Sequence, residues 1–152
     1  VRERSELTTD ELIAEWERNA EPARIARSKM PRPLARLPLL KLPPPVGRQR
    51  LAYLFDIGFT RDTWCHRMDI AIATGHPMDL DREHDGRIVA DIVAEWAATH
   101  GQPFVLELTG PAGGAYTSGT GGEVIIIDTL AFISILAGRA EGSGVLSNTL
   151  PL

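Results

Sequence analysis

The hydrophobic period of this chain first changes from helical to strand-like at Gly101, and that change limits the folds open to it. Upstream, apolar residues recur three and four apart, as on one helix face. Leu12, Ile13, Trp16 and Ala20 do so in "TTDELIAEWERNA", and Ile88, Ile92, Val93 and Trp96 in "RIVADIVAEWAATHG". Downstream, "PFVLELTG" sets Phe104, Leu106 and Leu108 against Val105 and Glu107, the alternation of a strand, and "GEVIIID" is a β-branched run. The expectation is an α+β chain: a helical part over residues 1–78, then a small α/β domain over 79–152.

Punctuation refines this outline. Thr8 and Glu11 have capping-box spacing, so a helix opens there, and Pro22 is expected to kink or interrupt it. The Pro-rich stretch "PRPLARLPLLKLPPPVG" (residues 31–47) cannot hold a regular helix and reads as an extended or ordered connection whose leucines pack on something. The pattern is helical again from Gln49 to Thr74 and stops at Gly75 and Pro77. "DTLAFISILAGRA" is a helix capped by Asp128 and closed by Gly138, and the tail "GVLSNTLPL" could add an edge strand. Between the two strands, "GPAGGAYTSGTGG" lacks the Lys-Ser/Thr of a phosphate loop and reads as a hairpin connection. Ser118 is no nucleophile elbow, because Tyr116 stands where that motif needs glycine.

Hydrophobic residues at 43% and charged residues at 24% are enough for a packed core. The net charge of -4 gives no general attraction to nucleic acid or to an anionic membrane, and the arginines between Arg2 and Arg50 read as a solvated face. A single cysteine, Cys65, excludes an intramolecular disulfide and suits a reducing cytoplasm. No apolar run reaches the roughly 20 residues of a spanning helix.

The residues that could carry chemistry lie in "FTRDTWCHRMDIAIATG". Asp62 precedes His66 by four, so on a helix the two share a face. A carboxylate and an imidazole are ordinary ligands of zinc and related divalent ions, and a catalytic ion takes a third protein ligand from elsewhere. The same spacing also suits a plain hydrogen-bonded pair. Asp69 could orient His66 from behind or simply pair with an arginine. Cys65 points about 100° away from His66 and reads as a buried thiol. His76 and His84 have no geometric claim as ligands, and His100 is explained by the dipole at a helix C-terminus.

The run "RDTWCHRMDIAIATG" resembles the last bundle helix of the mycothiol-dependent maleylpyruvate isomerase family, within the wider DinB-like metalloenzymes. "DGRIVADIVAEWAATHGQPFVLELTGPAGG" and "GGEVIIIDTLAFISILAGRAEG" resemble that family's small C-terminal α/β domain, itself similar to sterol-carrier-like folds. The resemblance implies a DinB-like helical bundle that binds a divalent metal, usually zinc, through three residues. Two of them map to Asp62 and His66, Asp62 standing where the isomerase has glutamate. The third is a histidine on an earlier helix, in a segment resembling Gly-Trp-x-Val-x-Asp-x-x-x-His. This chain has no such segment, so its place is expected upstream of Val1, and the chain resembles the C-terminal part of a longer member or one with an incomplete site. The implied chemistry is thiol-based: metal-bound mycothiol, as thiolate, adds to a small electrophile, giving isomerisation or S-transfer. Arg61 and Arg67 are the basic residues expected to contact mycothiol, and a homodimer would cover apolar surface left without bundle partners. A non-catalytic binding or regulatory protein on the same scaffold is the alternative.

Overall fold

The computed structural model describes residues 4–42 and 47–150, and it is a mixed α+β structure. Helix α1 (Thr9–Ser28) opens with the expected capping box: the Thr8 side chain accepts the Glu11 N–H, and the Glu11 carboxylate accepts the Thr8 N–H. It continues through Pro22 without a break and buries no residue. Its apolar stripe faces solvent, with Trp16 71% exposed.

The Pro-rich connection is ordered where it is described, and it does hold one helical turn. Pro31 and Pro33 start the turn α2 (Arg32–Ala35), where fixed φ and a missing N–H cost nothing. Strands β1 (Leu40–Lys41) and β2 (Arg48–Gln49) then form a two-residue antiparallel ladder. Residues 43–46 of the connection lie outside the described residues. Helical structure resumes at α3 (Leu51–Tyr53), widens into a π-helical turn (Leu54–Gly58), and continues as α4 (Phe59–Thr74). Gly75, at φ +70°, ends α4 in the left-handed conformation that glycine adopts without strain.

Helix α5 (Asp85–His100) packs beside α4, and the two are locked by a buried cation. The Arg61 guanidinium, 4% exposed, bonds the Asp91 carboxylate at 2.8 Å, the Asp91 carbonyl at 3.0 Å and the Glu95 carboxylate at 2.7 Å. The Tyr53 hydroxyl donates to the same Glu95 at 3.0 Å. Burial first, and the bond to Glu95 second, push that phenol up to about 12.

One hydrophobic core runs from α4 through α5 into the sheet. Trp64, Cys65 and Met68 join Val89, Ile92, Val93 and Trp96, then Phe104, Leu106 and Leu108, so the core spans both sides of Met78. Trp96 is its centre, with ring centroids 4.8 Å from Phe104 and 5.4 Å from Phe132.

The sheet corrects the hairpin expectation. Strand β3 (Phe104–Thr109) is central, flanked by β4 (Gly114–Ser118) on one edge and β5 (Glu123–Asp128) on the other. β4 is antiparallel to β3, pairing Leu106 with Tyr116, while β5 is parallel, pairing Leu106 with Ile125. The glycine-rich stretch is therefore two tight turns around a strand. The second turn, residues 119–122, must carry the chain across the start of β3 at Pro103. A Cβ on Gly122 would overlap the Pro103 carbonyl, and one on Gly113 would overlap the Leu108 carbonyl. Those glycines serve close backbone approach, which composition alone renders as flexibility.

Asp128 caps α6 (Thr129–Leu136), accepting from the Leu130 and Ala131 N–H groups. The tail is not an edge strand. It forms a 3₁₀ turn (Gly144–Ser147) and returns to α6, where the Leu150 N–H bonds the Leu136 carbonyl at 2.8 Å. Val145, Leu146 and Leu150 are all buried, a spacing that no period-two strand would give.

His100 also departs from expectation. Its ring stacks on Trp96 at 4.4 Å, and its Nδ1 accepts the Gln102 N–H at 3.0 Å. Burial lowers its pKa, so the neutral ring is favoured, and packing accounts for it better than a charge–dipole attraction. With the folded value depressed, the unfolded chain takes up the proton first. Stability from this group is complete above the unfolded value of about 6.5 and declines as pH falls below it. Urea unfolding at pH 7.5 and 5.5 should show this loss in the native protein and a smaller one in His100→Phe.

Candidate functional site

Helix α4 divides into two faces. Arg61, Trp64, Cys65 and Met68 point into the core, and Phe59, Asp62, His66 and Ile70 lie on the exposed side. Spacings of three and four place these last four along one stripe. Asp62 and His66 are each 65% exposed, and Asp62 Oδ1 lies 3.6 Å from His66 Nε2. That separation is too long for a hydrogen bond, so neither donor is committed to the other.

The other ring nitrogen faces Asp69. His66 Nδ1 is 3.5 Å from Asp69 Oδ2, and Asp69 is gripped by Arg139, whose Nε and Nη2 donate to its two oxygens at 2.6 and 2.7 Å. The Arg139 hydrogen bonds, the largest influence, hold the Asp69 carboxyl below its ordinary range. Asp69 thus both neighbours His66 and pairs with an arginine. Sequence reasoning missed Arg139. It lies just after Gly138, where the turn closing α6 brings the chain back to α4, and no local motif marks it.

The two arginines expected to contact a thiol cofactor part company. Arg61 lies inside, spent on α5. Arg67 is at the surface, 44% exposed, and donates to Asp85 Oδ1 and to the Asp79 carbonyl, both at 3.2 Å. Cys65 is buried, and desolvation pushes its thiol up, so it stays protonated and away from any reaction.

In kind and spacing, Asp62 and His66 fit a divalent ion. Two donors each about 2.0–2.1 Å from one zinc can lie 3.6 Å apart, and an imidazole ligand ordinarily has a carboxylate near its other nitrogen. The fit stops at two. Among the described residues, no group of three or more His, Cys, Asp or Glu side chains comes together to hold an ion, and His76, His84 and His100 bring no third donor. No described helix is long and apolar enough to cross a membrane. Comparison of the chain with protein-family models, with curated proteins and with solved structures gives no match.

Proposed function

We propose that the exposed stripe of α4 is part of a thiol-activating metal site and that the protein acts as a mycothiol-dependent isomerase or S-transferase of the maleylpyruvate isomerase type, on a DinB-like scaffold with a sterol-carrier-like C-terminal part. The observation that carries this reading is the Asp62–His66 pair: two uncommitted donors 3.6 Å apart, with Asp69 behind the imidazole and Arg139 behind Asp69. Asp62 Oδ1 and His66 Nε2 would hold the ion, zinc being the usual choice for such donors. When bound, such an ion holds a coordinated thiol as its thiolate near neutral pH.

The residues around the pair supply the rest. Arg139 fixes Asp69, and Asp69 favours the His66 tautomer with the proton on Nδ1, leaving Nε2 free to ligate. Arg67 is the arginine placed to meet the polar groups of mycothiol, and the small electrophile would approach over Phe59 and Ile70. A second reading, a non-catalytic binding or regulatory protein with an incomplete site, is favoured by one observation: the described residues offer two donors and no third.

The test is a titration of cobalt-loaded protein with mycothiol, followed by absorption. A thiolate-to-cobalt charge-transfer band that saturates, and that His66→Ala abolishes, is the expected result. An unchanged spectrum, or the same band in His66→Ala, overturns the thiol-activating reading.

A further inference from the structure

Around α4 from the Asp62–His66 stripe, a cavity of about 310 Å³ opens between the end of α1, the π-helical turn and the start of α5. That size is at the small end of ligand pockets. Its lining has three groups able to carry positive charge, Arg27, Arg67 and His84, and no carboxylate. Phe55, Phe59 and Ile88 make its apolar walls, the two phenyl rings packed edge to face at 5.7 Å. We propose that this cavity binds a small aromatic carboxylate, its ring against the phenylalanine pair and its charge on Arg27 and Arg67.

The cationic side is built in advance. Buried Asp85 receives the Trp64 indole N–H at 2.8 Å and the Asp81 N–H at 2.7 Å, which fix it in place. Arg67 Nη1 and His84 Nδ1 both rest on its Oδ1 at 3.2 Å, so two of the three groups are anchored on one immobile acceptor. Arg27 reaches in from α1, donating through Nη2 to Asp56 at 2.7 Å. A guanidinium has five N–H donors, and these contacts use one on Arg27 and two on Arg67. The remaining donors, from two different helices, suit the two oxygens of one carboxylate. Asp56 and Asp85 offset part of the positive charge, so the affinity is weak, with Kd about millimolar. Two guanidiniums beside aromatic walls favour a ring-bearing monoanion over a compact, heavily hydrated phosphate. The inference does not need the metal, because neither Asp62 nor His66 lines the cavity, although it shares Arg67 and Phe59 with the thiol-site reading.

The experiment is an NMR titration of the intact chain, with chelator present, following the Trp64 indole N–H beside Asp85. Benzoate, benzamide and inorganic phosphate are the probes. Benzoate should shift the resonance saturably, with benzamide weaker by about tenfold, as loss of a charge-assisted bond implies. Arg67→Gln should weaken benzoate by about tenfold. Because Arg67 also supports Asp85, Arg27→Gln, which leaves the core untouched, provides the second variant and should weaken benzoate too. Equal binding of benzoate and benzamide, no saturable shift, or unchanged affinity in Arg27→Gln overturns the proposal. Phosphate binding more tightly than benzoate would replace it with an inorganic anion site.

Discussion

Asp85→Ala should destabilise the protein by about 2–4 kcal/mol, because it strands donors that have no other partner. The carboxylate is 1% exposed at the first turn of α5, where it receives the Trp64 indole N–H and the Asp81 N–H. Leaving the buried Trp64 donor unsatisfied costs roughly 1–3 kcal/mol, and the part-buried Asp81 N–H adds to it. The ion pair with Arg67 adds less, since that guanidinium is 44% exposed and screened by water. Against a typical total stability of about 5–15 kcal/mol, this is a large fraction.

The same carboxylate carries an acid limb. Burial, the largest influence, pushes its pKa up, but the Asp81 N–H, the Trp64 indole, His84 and Arg67 together outweigh it and hold the carboxyl below its ordinary value. A depressed folded value means the unfolded chain protonates first. The contribution is complete above the unfolded value of about 3.9 and is lost as pH falls through the folded one. Asp85→Asn mimics the protonated side chain. Its urea-unfolding free energy should lie below that of the native protein at pH 7 and converge with it toward pH 3. A constant gap at both pH values would show that Asp85 does not titrate as described.

The second large effect is at the turns of the sheet. Gly122→Ala and Gly113→Ala each place a methyl group on a backbone carbonyl, of Pro103 and of Leu108, and backbone cannot yield as a side-chain tip can. A cost of about 2–4 kcal/mol is expected for each. Gly121 is the control: its φ is +71°, with no atom near its Cβ position, so Gly121→Ala carries only the backbone penalty of about 1–2 kcal/mol. Thermal unfolding of the three variants separates the two causes. Gly122→Ala melting no lower than Gly121→Ala would mean that the chain does not cross Pro103 as described.

These two sites also mark where the sequence was legible and where it was not. Helices α4, α5 and α6 were readable because their signals are local: a 3.6-residue apolar period, an Asp128 cap, and glycine stops at Gly75 and Gly101. Strands β3 and β5 were readable by alternation and β-branching. Strand β4 was not, because Gly114, Ala115 and Ser118 carry little strand preference, and its identity comes from pairing with β3. Nor was the parallel β3–β5 register, which depends on a turn made possible by absent side chains.

At the candidate site, the Asp62–His66 spacing was local and therefore visible, as was the burial of Cys65. The Arg139–Asp69 pair joins residues 70 apart and has no sequence signature. Arg61 and Arg67 look alike in sequence, yet six residues leave them on different sides of α4. One became the clamp on α5, and the other stayed at the surface. For α1, the apolar stripe was legible in the sequence, and Trp16 on it is exposed. Periodicity states which face is apolar and says nothing of what covers it.

The proposed ligation of one metal ion by Asp62 and His66 is open to direct measurement. Its most direct test is equilibrium dialysis of the purified chain against micromolar zinc, with metal counted per chain, alongside Asp62→Ala and His66→Ala. Both positions are exposed, so each variant should fold normally. About one zinc per native chain and a clear loss in either variant are expected. Equal zinc in all three proteins, or none in the folded native chain, would contradict the proposed ligation.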